Sequence, residues 1–379
     1  MALNNQRGYI RGLASARNHE SEQTRMTQTW TLYTMQNSPY SDKIRAFLKY
    51  KKLPVQEFLE NAETRFSVLQ ARTGKTMVPV VITPSDEAMN DSTAIAAHVE
   101  SIAADPPTRW KDPETDTVAM LLEDYADEWL VRIMLTSRWY HPADAAQNAA
   151  IIACGMTHGV PGLDFQRAAR EFPPGIISTL PKMGATPENA EGWYAMLPRI
   201  LGAFARALSR SLFLTGAAPH QADFAFYGQL NQIRRDPTGS GWISAAPEPV
   251  RDWLDRMEAV FTGNLTPASC ALDDLDTLDE LVEEMSSTYL RMQVANALAV
   301  DAGEKIVRMT LRDGFEFATA PAKYNAKLLA ANLATLEKLY SRSLTLPSVV
   351  GTPILRELAP LAAAGSALLE KAPSLRAAL

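Results

Sequence analysis

The sequence predicts an α/β domain near its N-terminus, followed by a mainly helical remainder that contains one β-hairpin. A strand-like run at residues 29–34 turns into a segment whose apolar residues recur at helical spacing. A β-branched run at residues 76–83 precedes a second helix start near residue 92. Beyond residue 112, long amphipathic segments alternate with short loops, and this pattern favours packed helices.

Composition limits the classes of function. The chain has 379 residues, of which 46% are hydrophobic and 21% charged, as is typical of soluble globular proteins with two or three domains. The net charge of −6, with no basic run, argues against a nucleic-acid partner. No apolar segment reaches the roughly 18 residues of a membrane helix, so no membrane partner is expected.

Cysteine and histidine usage points to a reducing compartment without a metal site. Cys154 and Cys270 are too few for a disulfide framework, and we expect a cytoplasmic location. The five histidines show no metal-ligand spacing, so no metal is predicted. Residues 1–28 are polar, contain arginine and lack the apolar centre of a secretory signal, which predicts a flexible extension, with a transit peptide as the alternative.

The first strand–helix junction places a hydroxyl at the start of a helix. Pro39 suits the first helical turn, where its missing N–H costs nothing, and Ser38 then occupies the N-cap. Free backbone N–H groups and the helix dipole favour an anion at this position. A thiolate or another anion placed beside Ser38 would meet these groups; the alternative is that the hydroxyl only caps the helix.

The later part of this domain contains a proline within a strand. Pro79 interrupts the run 76–83, and a cis Val78–Pro79 bond at the start of the strand would accommodate it. Asp91 or Ser92 is expected to cap the following helix.

These motifs are similar to those of a known family. SPYSDKIRAFL resembles the strand–helix junction of the thioredoxin-like domain in glutathione S-transferases, and also the CPYC site of glutaredoxins. Ser38 and Ser41 stand where the two cysteines would be, which counts against disulfide chemistry. MVPVVIT and NDSTAIAAHVE resemble the family's cis-proline strand and its acidic–serine pair.

The resemblance implies a domain organisation. It consists of a thioredoxin-like glutathione-binding domain at 29–104, an all-helical domain at 112–263 and an extension at 266–379. The extension is expected to contain a helix (275–299), a hairpin around residues 312–314 and another helix (322–340), because Asp-Gly between alternating runs favours a tight turn. It could cover the site, extend a dimer interface or add core.

The resemblance also implies site residues, with glutathione as co-substrate. Ser38 would face the sulfur as the catalytic hydroxyl. The backbone of Val78, beside Pro79, would pair with the cysteinyl part, and Asp91 and Ser92 would hold the γ-glutamyl end. The glycyl carboxylate is assigned to Lys75.

The helix predicted at 117–139 supplies the candidates for a second-substrate pocket. LLEDYADEWL and RWYHP resemble the first helix of the all-helical domain in bacterial transferases. Pocket candidates are Tyr40, Trp129, Arg132, Trp139 and Tyr140. The alternative is that aromatic residues at helical spacing belong to the core.

A second segment of the helical domain also resembles the family. HQADFAFYGQ is similar to the family's buried helix, with Asp223 as a fold determinant. His220 stands where family members carry Ser or Thr, which is expected to weaken the capping box.

The resulting hypothesis is a transferase-like enzyme. Ser38 would stabilise the glutathione thiolate, which would attack a small hydrophobic electrophile. Tyr33, Tyr40 and Ser41 are the alternative hydroxyls. Isomerisation, dehalogenation or ether cleavage by the same thiolate remain open, as does a binding or scaffold protein without catalysis. A homodimer is expected from the resemblance alone.

Overall fold

The computed structural model describes residues 28–264 and 275–379. The extension predicted at 1–28 lies outside these residues except for residue 28, and Cys270 lies outside them as well.

A four-stranded mixed sheet with two helices forms the N-terminal part. Its strands are β1 (Trp30–Thr34), β2 (Val55–Leu59), β3 (Val80–Ile82) and β4 (Ala88–Asn90). Their order is β2-β1-β3-β4; β1 is parallel to β2 and antiparallel to β3, which pairs antiparallel with β4. Helices α1 (Pro39–Tyr50) and α2 (Ser92–Ile102) contact each other. A π-helical segment (Arg65–Gln70) and one α-turn (Ala71–Thr73) follow β2.

The expected order of strands and helices in this part is confirmed. The Val78–Pro79 peptide is cis, as predicted, and β3 begins directly after it. The strand is shorter than the run at 76–83 because the pairing with β1 spans only Val80–Ile82.

The helix predicted at 117–139 is interrupted. It consists of α3 (Pro113–Tyr125), a π-helical turn (Ala126–Leu130) and α4 (Val131–Tyr140). A π turn adds a residue to the local repeat, so side chains beyond it point in directions that a regular helix would not give. Asp127 and Glu128 lie on this turn.

Further helices complete the central part of the chain. They are α5 (Pro142–Thr157), α6 (Phe165–Glu171), α7 (Pro173–Ile177), α8 (Ala190–Ala207), α9 (Gln221–Arg235), α10 (Pro237–Ser244) and α11 (Glu248–Phe261). Helix α9 is buried along almost its whole length and packs directly on α1.

A glycine allows this close approach. A Cβ added to Gly228 would lie 2.4 Å from the carbonyl oxygen of Pro39, in the first turn of α1. Real Cβ atoms do not approach a backbone oxygen so closely, so only glycine lets α9 pack against the start of α1.

The start of α9 corrects one expectation. The capping box is retained although a histidine occupies the N-cap: His220 Nδ1 accepts from the Ala222 N–H, and Asp223 Oδ2 accepts from the His220 N–H. Asp223 Oδ1 also accepts from the Leu214 N–H and from Trp253 Nε1. Asp223 is therefore the fold determinant that the sequence predicted, and an imidazole nitrogen replaces the usual hydroxyl.

The C-terminal part contains helices and the predicted hairpin. Its elements are α12 (Asp279–Met285), α13 (Arg291–Asp301), β5 (Val307–Thr310), β6 (Glu316–Thr319), α14 (Lys323–Tyr340), α15 (Ser348–Ala363) and α16 (Pro373–Ala378). Helix α14 packs against α13 and against α3. Within the described ranges, no helix combines the length and the apolar character required to span a membrane.

Candidate functional site

Ser38 lies at the start of α1 and opens onto a cavity. It is the N-cap residue, and its Oγ accepts a hydrogen bond of 3.2 Å from the Ser41 N–H. Ser38 is half-buried and lines a cavity of about 220 Å³. As an acceptor in this bond, the hydroxyl keeps its own proton available for another group. Ser41 is fully buried and accepts from the Met35 N–H, so it does not reach the cavity.

The remaining wall of this smaller cavity is mainly apolar. Met134, Leu135 and Trp139 from α4 and Ile176 from α7 face the first turn of α1 across it. Trp139 was predicted as a pocket residue, and the structure places it here.

A buried arginine holds the turn before Ser38. Arg138 donates to the Asn37 carbonyl at 2.6 Å and forms an ion pair of 2.8 Å with Asp236. Asn37 also donates through its side chain to Asn148, whose amide donates to Asp236. Burial lowers the pKa of Arg138, but the Asp236 carboxylate opposes that effect.

The sequence analysis missed this network. Its members lie between positions 37 and 236 and share no local pattern. The only signal is a charged residue at position 138 next to apolar and aromatic positions of the same helix.

The cis-proline and the start of α2 line a second, larger cavity of about 760 Å³. Val78, Pro79, Asp91 and Ser92 all lie on its wall. Asp91 has a φ of +84°, a conformation that non-glycine residues seldom adopt and that is concentrated at functional sites. Its Oδ1 accepts from the N–H groups of Thr93 and Ala94, and no described residue bonds to Ser92 Oγ.

Tyr40 connects the two cavities. Tyr40, Met77 and Val78 line both of them, so the two cavities adjoin at these residues. The Tyr40 hydroxyl donates to the Asp127 carbonyl at 2.9 Å. Burial, together with the nearby Glu128 and Asp127, raises the pKa of Tyr40 well above its usual value. Tyr40 is therefore a wall residue with its proton already engaged.

The larger cavity has an acidic wall from α3 and the π turn. The Lys43 ammonium lies behind this wall, 2.7 Å from Glu123 and 2.6 Å from Asp127. Burial raises the pKa of Asp127 to about 6 although Lys43 opposes the shift. Burial and the neighbouring Asp124 and Asp127 raise the pKa of Glu128 to about 8.

Two other pocket predictions require correction. Trp129 is fully buried among Trp193, Tyr289 and Phe317, so it belongs to the core because the hairpin and α8 cover it. Arg132 is 4% exposed and donates to the carbonyls of Glu128 and Met183, so it lines neither cavity.

The remaining aromatic candidates also lie away from the two cavities. The Tyr140 hydroxyl donates to the Ala185 carbonyl, and Tyr33 stacks on Phe58. Neither residue lines the smaller or the larger cavity. Lys75 lies on the wall of the larger cavity, and its assignment to the glycyl carboxylate stays a prediction.

The fold combines a thioredoxin-like domain that has a mixed sheet, a helical domain, and an added region of helices and one hairpin. The family model for the glutathione S-transferase N-terminal domain matches residues 32–107, and the model for the C-terminal domain of that family matches residues 187–256. The chain belongs to the glutathione S-transferase family.

Solved structures resemble the chain at low identity. The β-etherase LigF from Sphingobium sp. strain SYK-6 is 18% identical, over 62% of this chain and 98% of its own, with a TM-score of 0.45. A glutathione S-transferase from Methylobacterium radiotolerans, in complex with glutathione sulfonate, is 19% identical over 65% and 99%, with a TM-score of 0.39. Transferase GSTFuA3 from Phanerochaete chrysosporium is 15% identical over 62% and 98%, with a TM-score of 0.46. The search of curated proteins finds no match.

Proposed function

We propose that the protein is a glutathione transferase in which Ser38 stabilises the thiolate of bound glutathione. One observation carries the proposal: the Ser38 cavity adjoins the cavity at Pro79, Asp91 and Ser92, and the two share wall residues. A tripeptide could therefore place its γ-glutamyl end in the larger cavity and its sulfur beside Ser38.

The polar groups of the larger cavity suit the ends of glutathione. Ser92 Oγ and the first turn of α2 would receive the γ-glutamyl carboxylate, because helix starts favour anions. The backbone of Val78 lies just before β3, outside the sheet pairing, and would bond to the cysteinyl part. Asp91 Oδ1 caps the helix, and its second oxygen could accept from the α-ammonium.

The chemistry would take place in the smaller cavity. A free thiol has a pKa near 8.5, and a hydroxyl donor and a helix start lower it, so that more thiolate is present at neutral pH. The Ser38 hydroxyl, whose oxygen already accepts from the Ser41 N–H, would donate to the sulfur. The thiolate would then attack an electrophilic carbon, forming a carbon–sulfur bond while the leaving group departs with its bonding electron pair. Met134, Leu135 and Ile176 favour a small hydrophobic second substrate.

Calorimetric titration with reduced glutathione tests the proposal. Ser92→Ala should weaken binding about tenfold, because a buried carboxylate loses a charge-assisted hydrogen bond. Ser38→Ala should retain binding but raise the pKa of the bound thiol, read from the ultraviolet absorbance of the thiolate. Ser38→Ala should also turn over 1-chloro-2,4-dinitrobenzene more slowly than the wild type, because less of the bound thiol is ionised. Ser209→Ala, at an exposed position, is the matched control.

The outcomes separate the alternatives. No binding at millimolar glutathione would overturn the proposal. Binding with an unshifted thiol pKa in the wild type would indicate a binding protein on this fold. A lowered thiol pKa without turnover of the test electrophile would direct the search to isomerisation, dehalogenation or ether cleavage.

A further inference from the structure

Helix α14, from the C-terminal part of the chain, lines the larger cavity along one of its faces. The cavity-lining residues of this helix lie at positions 324, 328, 331, 332 and 335, a spacing of three and four that places them on one stripe. On a different stripe, Leu329, Leu333 and Leu336 are buried, and the helix packs against α13 and α16. Helix α14 therefore has one face for packing and another for the cavity.

A buried asparagine fixes the start of α14. The side chain of Asn296, on α13, donates to the Ala322 carbonyl at 2.9 Å and accepts from the Ala322 N–H at 2.7 Å. Ala322 is the N-cap residue of α14, and Asn296 is fully buried, so both bonds are shielded from water. Further along the helix, Asn332 donates to Asp124 at 2.8 Å. The cavity face of α14 is therefore held in place at its start and at its middle.

Tyr324 brings a free hydroxyl to this wall, two residues after the fixed N-cap. The residue is 51% exposed, and no described residue forms a hydrogen bond with its hydroxyl. Partial burial, followed by the negative charges of Glu128 and Asp91, raises the pKa of Tyr324 above its usual value. The hydroxyl therefore keeps its proton at neutral pH and can donate it in a hydrogen bond.

The start of α2, which lines the same cavity, offers few donors to a carboxylate. Asp91 Oδ1 already accepts from the N–H groups of Thr93 and Ala94, which leaves the N–H and the hydroxyl of Ser92. Five carboxyl side chains on the cavity wall also repel an anionic group. A ligand carboxylate at this position would gain from a further donor. Tyr324 is close enough to Asp91 for that charge to affect its pKa, so its hydroxyl lies near this position.

We propose that Tyr324 contacts bound glutathione, with its hydroxyl donating to the free carboxylate of the γ-glutamyl end. The inference rests on the proposed function and adds to it a residue outside both family models, because α14 begins beyond residues 187–256. Of the three roles open to the C-terminal part of the chain, covering the site is the one that this contact requires.

Calorimetry on the full chain tests the contact with two probes. These are reduced glutathione and 4-aminobutanoylcysteinylglycine, which is glutathione without the γ-glutamyl carboxylate. Tyr324→Phe removes the hydroxyl and keeps the ring. Tyr340→Phe is the matched control, since Tyr340 is the last residue of the same helix and lines neither cavity. Thermal unfolding of both variants checks that the fold is unchanged.

We expect a loss of affinity that depends on the ligand carboxylate. Tyr324→Phe should bind glutathione about tenfold more weakly than the wild type, because it lacks one charge-assisted hydrogen bond. The analogue should bind the wild type and Tyr324→Phe equally, since it has no carboxylate at this end. Tyr340→Phe should match the wild type with both probes. A purely structural role of Tyr324 would instead weaken both probes by the same factor.

Failure of this inference differs from failure of the proposed function. If Tyr324→Phe binds glutathione as tightly as the wild type does, or weakens both probes equally, the contact is wrong and the transferase proposal stands. If the analogue binds none of the proteins, glutathione alone decides, by the difference between Tyr324→Phe and Tyr340→Phe. If the wild type does not bind millimolar glutathione, the proposed function fails and the contact fails with it.

Discussion

The two cavities beside α1 share Tyr40, Met77 and Val78 but differ in the charged side chains on their walls. The smaller one has one acidic and two basic side chains, beside apolar residues of α4 and α7 and the Ser38 hydroxyl. The larger one has five carboxyl side chains and one lysine. Under the proposed function, the ionic end of the ligand lies in the larger cavity and its reacting atom in the smaller one.

The difference has a structural origin. The first domain supplies the shared residues, and the rest of the chain supplies what distinguishes the cavities. Helix α4 and the Arg138 network shape the smaller cavity, whereas the π turn and α14 shape the larger one.

The largest effect is expected from Arg138→Ala on the side of the smaller cavity. It would leave Asp236, which is 2% exposed, without its cation and would release the Asn37 carbonyl. Breaking one partner of a buried ion pair costs about 3–5 kcal/mol, which denaturant unfolding can measure. The double variant Arg138→Ala with Asp236→Ala should cost less than the sum of the two single changes; strict additivity would contradict the coupling.

Glu128→Gln should stabilise the protein on the side of the larger cavity. The folded state keeps a proton on Glu128 up to about pH 8, whereas the unfolded chain loses it near 4.5, so this group reduces stability as pH rises between those values. At pH 8 the variant should gain on the order of 2–3 kcal/mol, and at pH 4 it should gain nothing. Denaturant unfolding at both pH values measures the free energy of unfolding of Glu128→Gln and of Glu304→Gln, a matched control at an exposed position. An equal gain at pH 4 would show that the raised pKa of Glu128 is not the reason for the stabilisation.

Gly228→Ala should disturb both cavities, because it acts on the shared helix start. The added Cβ would meet the Pro39 carbonyl oxygen at 2.4 Å and push α9 away from α1. Overpacking of this kind costs about 1–3 kcal/mol. Gly202→Ala, inside α8 with no atom within 4 Å of an added Cβ, should be neutral or slightly stabilising in the same unfolding assay. Equal effects at the two positions would show that the close approach does not matter.

The smallest effect is expected from Asn332→Ala. It removes one donor to Asp124 and leaves the Tyr289 donor in place, so the loss should be about 1 kcal/mol. Thermal unfolding would detect it. Thr335→Ala is the control, since this hydroxyl also lines the cavity but bonds only to its own helix. A larger loss in the control would show that α14 is held by contacts other than Asp124.

Local signals predicted the elements of the site well. The N-cap at Ser38, the proline at the start of β3 and the capping residue Asp91 are each specified by a few neighbouring residues. Such signals are readable because the hydrogen bonds and dihedral restrictions involved span only three or four positions.

The pocket residues of the helical domain were predicted less well. Helical spacing identifies an apolar face but does not say what covers it. Trp129 faces Phe317 of the hairpin, nearly 190 positions later, whereas Trp139 faces the smaller cavity. The π turn changes the directions in which the side chains of Asp127 and Glu128 point. No pattern in the sequence predicted this turn.

The sequence by itself determined the family, the order of the elements and the position of a hydroxyl at the start of α1. Only the tertiary structure decided that Arg138 holds the turn before that hydroxyl, that Gly228 sets how closely α9 approaches it, and that α14 lines the acidic cavity beside it. The physical reason is the distance along the chain between the residues that interact. Caps and turns depend on neighbouring residues, but burial, pKa shifts and cavity walls depend on segments that meet only after the chain has folded.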